Sequence, residues 1–116
     1  MPEKRLGPGA LVWAGFDGPE VPGELLDAIR TGRLGGLLLF AARGNTGSKA
    51  QVRAMLGEAV EAARRGELPA VPVAVDQEGG NVVRVGYRAV FPSAMAIAAT
   101  GDPSYAERAA RAVGEG

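Results

Sequence analysis

Two carboxylates, a pair of glycines and an arginine are gathered in one short segment, Val75-Asp76-Gln77-Glu78-Gly79-Gly80-Asn81-Val82-Val83-Arg84. An ionised Asp76 can only accept hydrogen bonds, which suits the hydroxyl groups of a sugar, and Arg84 donates through a planar fork. Gly79-Gly80 allows positive φ and a close backbone approach. Glu78 reads as structural, a partner for Arg84. Other chemistries are excluded by what the chain lacks. With no cysteine there is no disulfide framework and no thiolate, and with no histidine the commonest general base and metal ligand are gone. No metal site and no cofactor are expected. Gly44-Asn45-Thr46-Gly47-Ser48-Lys49 joins a strand to a helix as a phosphate loop does, but its spacing fails the GxxxxGK[ST] pattern, and Ala50 stands where the Mg²⁺-binding hydroxyl belongs. Gly7-Pro8-Gly9 precedes a strand and lacks the third glycine of a dinucleotide loop.

The elements that must position Asp76 and Arg84 read as an alternation of strands and helices. Val71 to Val75 is a strand, with Pro72 near its start arguing for an edge or a delayed pairing. The polar segment lies just past its C-terminal end, where parallel α/β architectures bind ligands. Upstream, Ala10 to Phe16 is a nearly continuous apolar run, as for a strand buried on both faces, with Trp13 in the core. Pro22 opens a helix at its first position, carrying Leu25, Leu26 and Ile29. After Gly35-Gly36, Leu37 to Phe40 reads as another buried strand. From Ser48 to Glu67 a helix is expected, with Val52, Met55, Leu56, Ala59, Val60 and Ala63 on one stripe, Ser48 as N-cap and Gly66 as stop. The last helix has Asp102 as cap, Pro103 at its first position, and Ala106, Ala109, Ala110 and Val113 on one face. Three β-then-α units imply parallel strands and right-handed crossovers. The stretch from Asp76 to Gly101 is long for a βα connection and should hold a hairpin around Val82-Val83 and a helical turn around Ala94 to Ile97. Tyr87 and Phe91 read as packing residues.

Thirteen basic and thirteen acidic residues cancel, and the only lysines are Lys4 and Lys49. Nothing in this balance supports a nucleic-acid or membrane partner. There is no apolar stretch of ~18 residues and no leader-like segment, so a cytoplasmic protein is expected, with residues 1–116 as a single domain.

Asp76-Gln77-Glu78-Gly79-Gly80, followed by Arg84 and by Phe91-Pro92-Ser93-Ala94-Met95-Ala96, resembles the pattern of family 3 glycoside hydrolases of the β-N-acetylhexosaminidase kind. Gly35-Gly-Leu-Leu-Leu-Phe40, with Arg43 and Asn45 after it, is similar to that family's second strand and following loop. The resemblance runs over roughly residues 10 to 114. It implies an α/β fold, a partial TIM (β/α)8 barrel comprising about the first three βα units of a fold that typically needs ~250 residues. It also implies that Asp76 and Arg84 bind the terminal sugar of an amino-sugar glycoside. Two departures from the family pattern are Asn81, where arginine is usual, and a slightly expanded loop from Ala41 to Gly47.

Retaining glycosidases need a nucleophile and an acid/base. The family takes these from an aspartate on a late strand and a histidine on a loop, so no catalytic residue is assigned here. The chain is expected to be an inactive fragment carrying substrate contacts. The competing readings are a non-catalytic binding or interaction module and one half of a split enzyme; a nucleotide-binding domain is disfavoured by the missing phosphate loop. Open strand edges and an uncovered apolar face predict a homo-oligomer or a complementary chain.

Overall fold

Ile29, Leu37 and Met55 are the most deeply buried large apolar side chains, and they come from three different elements. The computed structural model describes residues 6–87 and 90–115, which divide after Val75 into two units. In the first, β1 (Trp13–Gly15), β2 (Gly36–Leu39) and β3 (Val73–Val75) form a parallel sheet in the order β1-β2-β3. Helices α1 (Gly23–Arg30) and α2 (Lys49–Arg65) are the crossovers and pack on each other. Ile29 of α1, Leu37 and Leu39 of β2, and Met55, Ala59 and Ala63 of α2 share one core with Phe16, Val21 and Leu34. Burying a side chain such as Ile29 stabilises the unit by about 2 kcal/mol.

Helix α2 begins and ends where its sequence says. Ser48 Oγ accepts from the Gln51 N–H at 3.1 Å, and Gly66 follows the last residue. Its buried face is centred on Met55, Ala59, Ala62 and Ala63. Val60, expected on the stripe, is 52% exposed, because it lies roughly a third of a turn from that centre. Pro22 and Pro103 each sit one residue before their helices instead of opening them.

The first apolar run needs a larger correction. Only Trp13–Gly15 is strand, preceded by a 3₁₀ turn over Pro8–Leu11, and Leu11 and Val12 are exposed. Trp13 is 40% exposed and not core. β1 is an edge strand, and its side chains alternate. Ala14, paired with buried Leu37, faces the core helices, so Trp13 points to the other face, where its indole lies over its register partner Gly36. A side chain on Gly36 would collide with that ring. Pro72 behaves as expected: β3 starts after it, at a sheet edge, and its carbonyl accepts from the Leu37 N–H at 3.1 Å.

In the second unit, β4 (Gln77–Gly79) and β5 (Val82–Val83) make the expected antiparallel hairpin. The expected helical turn is α3 (Ala94–Ala99), which packs on α4 (Ser104–Gly114). Ser93 Oγ caps α3 by accepting from Ala96 N–H, while Asp102 Oδ1, one residue before Pro103, accepts from the first N–H of α4, that of Ser104, at 2.9 Å. Among the described residues, no helix is long and apolar enough to cross a membrane.

Candidate functional site

Asp76 follows the last residue of β3 and leads into β4. Its side chain is exposed and makes no hydrogen bond or ion pair among the described residues, so both carboxylate oxygens remain open to a ligand. Gln77, next along, is half-buried and turned to the opposite arm of the hairpin. Its Oε1 accepts from the N–H groups of Arg84 (3.0 Å) and Val85 (3.1 Å), and its Nε2 donates to Val85 O at 3.3 Å.

The glycine pair does what its sequence suggests, against a surface the sequence does not reveal. Gly79 and Gly80 have φ of 81° and 57°. A Cβ on Gly79 would collide with the Phe91 and Pro92 backbone, and one on Gly80 would press on the Ser93 side chain. Gly80 N–H donates to Phe91 O at 2.9 Å. Two motif blocks, Asp76 to Gly80 and Phe91 to Ser93, are therefore in direct contact through backbone that only glycine permits. Glu78, expected to pair with Arg84, is instead exposed and forms no ion pair among the described residues. Arg84 is half-buried, its backbone held by Gln77.

Beside the hairpin an open, largely apolar groove of ≈ 700 Å³ is lined by Gln77, Glu78, Phe91 and Ile97, and by Ala106 and Val113 from the predicted apolar face of α4. At its rim the Asp102 carboxyl is held below its usual range, chiefly by the backbone N–H of Ser104. No group of carboxylates among the described residues is placed to hold a metal ion.

In the first unit, a second polar cluster ties the loops that follow β1 and β2. Asn45 is fully buried. Its Oδ1 accepts from Phe40 N–H at 2.9 Å, while its Nδ2 donates to Phe16 O at 3.1 Å and Gly18 O at 2.8 Å. Gly18 N–H donates to Arg43 O at 2.7 Å. The Arg43 guanidinium pairs with Asp17 at 3.0 Å and lies 5.8 Å from the Phe40 ring centre. Residue chemistry alone does not single out Asn45 or Gln77. Asn45 is marked in the sequence only as part of a motif block, and Gln77 only as a letter inside one.

The sequence profile of the glycosyl hydrolase family 3 N terminal domain matches residues 11–116. No curated protein sequence matches the chain. Among solved structures, a glycoside hydrolase family 3 β-N-acetylglucosaminidase from Paenibacillus sp. str. FPU-7 superposes with a TM-score of 0.82 at 34% identity, over 91% of this chain and 20% of that one. A fungal multi-domain GH3 β-N-acetylglucosaminidase gives 0.81 at 34% identity, over 88% of this chain and 12% of that one. NagZ from Neisseria gonorrhoeae, in complex with N-trifluoroacetyl-D-glucosamine, gives 0.61 at 26% identity, over 79% and 25%. The chain thus spans between 12% and 25% of the length of these proteins. Its three parallel strands with helical crossovers are the arrangement of a partial TIM barrel, as the motif pattern led one to expect. Motif order, sheet topology and likeness to solved structures agree, and the chain belongs to glycoside hydrolase family 3, within the part that the family's N-terminal domain describes.

Proposed function

We propose that this chain carries the sugar-recognition segment of a β-N-acetylglucosaminidase, with Asp76 and Arg84 contacting the hydroxyl groups of a terminal N-acetylglucosamine-type residue. The observation that carries this reading is the open Asp76 carboxylate at the root of a hairpin whose other arm leads into Arg84. A carboxylate that no described residue engages is a strong acceptor for neighbouring sugar hydroxyls, and a guanidinium donates to ring substituents in a fixed fork. The likeness to β-N-acetylglucosaminidases supports the choice of an amino sugar over other ligands.

Hydrolysis with retention takes a nucleophile and an acid/base on either side of the scissile bond. The family resemblance assigns the acid/base role to a histidine, and this chain has none. The 116-residue chain is therefore expected to bind sugar without turning it over. Nuclear magnetic resonance titration with N-acetylglucosamine should shift backbone signals between Asp76 and Arg84, and the same preparation should release no chromophore from a β-N-acetylglucosaminide at any pH. A titration without shifts in that segment would remove the recognition role. Turnover that copurifies with the chain and disappears in Asp76→Ala would show that the chemistry is present after all.

A further inference from the structure

We infer that Gln77 is a positioning residue for Arg84, fixing the arm that carries the guanidinium relative to Asp76; the inference rests on the sugar-binding reading of Asp76 and Arg84. The hairpin by itself cannot do this. β5 is two residues long, and its register with β4 ends at the Gln77–Val83 pair. Between Gln77 and Gly79 the pairing is irregular. The backbone after Val83 has left the ladder, and the Gln77 side chain takes over from it. Its amide supplies what a neighbouring peptide unit would have supplied: a carbonyl oxygen that accepts from Arg84 and Val85 N–H at 3.0 and 3.1 Å, and an N–H that donates to Val85 O at 3.3 Å.

At neutral pH, where carboxyl groups are ionised, only a carboxamide side chain offers this combination of a two-lone-pair acceptor and donors on one planar group. Glutamate in the same place keeps the acceptor but has no N–H for the Val85 carbonyl. Methionine keeps the length and offers no comparable donor or acceptor. The covalent geometry adds the second half of the argument. Gln77 is the residue next to Asp76, so the residue whose side chain holds the backbone of Arg84 is joined by a single peptide bond to the one that carries the open carboxylate. The two sugar contacts are thereby set by one residue, and a shift of either by about 1 Å is enough to cost binding geometry heavily.

The test compares the full chain with Gln77→Met, Gln77→Glu and Asp76→Ala by amide hydrogen exchange and by titration with N-acetylglucosamine. In Gln77→Met the Arg84 and Val85 amides should lose protection while the α2 amides keep theirs, and sugar affinity should fall roughly tenfold to a hundredfold. Gln77→Glu should fall between methionine and wild type in both readouts, and it decides the matter if the methionine variant unfolds the hairpin. Retained protection of Arg84 and Val85 in Gln77→Met overturns the inference, and so does a Gln77→Glu chain no better protected there than Gln77→Met. So does lost protection with unchanged affinity, provided that Asp76→Ala abolishes binding. If Asp76→Ala leaves sugar binding unchanged, or the wild-type chain binds none, the reading of the site fails and the role of Gln77 fails with it.

Discussion

Every buried hydrophobic side chain among the described residues lies between Phe16 and Ala63; from Asp76 onward the one buried residue is Gly79. The first unit is held by packing, with aliphatic side chains from a strand and two helices meeting over a sheet. The second is held by specific hydrogen bonds and tight backbone approaches: the Gln77 amide, the Gly79-Gly80 turn on Phe91 to Ser93, the Ser93 cap of α3 and the Asp102 bond to Ser104 N–H. Packing forgives small changes of shape and gives a scaffold. Hydrogen-bonded loops place individual groups, and among the described residues none uses the Asp76 carboxylate.

The contrast can be broken by mutation. Leu37→Ala, at a fully buried position of β2, should cost about 2–5 kcal/mol in urea denaturation. Ile97→Ala, on the short and partly exposed α3, should cost about 1 kcal/mol or less. Similar losses at the two positions would mean that the units do not differ as described.

The next effect down is at Asn45, where the first unit depends on a polar group. Asn45→Ala leaves Phe40 N–H and the carbonyls of Phe16 and Gly18 without their partner and should cost about 1–3 kcal/mol in the same denaturation. Asn45→Asp should do no better, since an ionised carboxylate has no donor for the two carbonyls. A near-neutral Asn45→Asp would show that the Nδ2 contacts contribute little.

The smallest effect is electrostatic. Glu61 is held at about 2 by the hydrogen bonds it accepts from Arg64 and then Arg65 on the exposed side of α2. A carboxyl whose folded pKa lies below its unfolded value stabilises above the unfolded range, near ~4.3, and loses that contribution as pH falls through the folded value. Stability should therefore decline slightly between about pH 4.5 and 2, less so at high salt and less in Glu61→Gln. Asp27, lowered first by its hydrogen bond from Arg30, acts in the same direction. A Glu61→Gln chain with an unchanged acid limb would remove this contribution.

How much could be read in the sequence follows the same division. Helix α2 was legible because a cap, a periodic stripe and a terminal glycine all pointed to one answer, and β2 because a short apolar run opened by a glycine pair has few other readings. Trp13 was misread because a short apolar run does not say which face the helices cover, nor that β1 is an edge. Val60 was misread because a stripe six residues wide does not reveal where its centre lies. Asp76 and Arg84 stood out by type and spacing. Gln77 did not, since its partners lie seven and eight residues away and depend on a hairpin register that no periodicity encodes.

Asp76 joins both halves of the comparison, because it should matter to the ligand and hardly at all to the fold. Thermal melting of wild-type and Asp76→Ala chains, each with and without N-acetylglucosamine, reads both at once. Without sugar, the two should agree to within about 1 kcal/mol, as expected for an exposed side chain with no partner among the described residues. With sugar, the wild-type midpoint should rise with ligand concentration and that of Asp76→Ala should stay where it was. A large loss of stability in sugar-free Asp76→Ala, or an equal rise in both chains, would contradict the assignment of Asp76 as an open sugar contact on an independently stable scaffold.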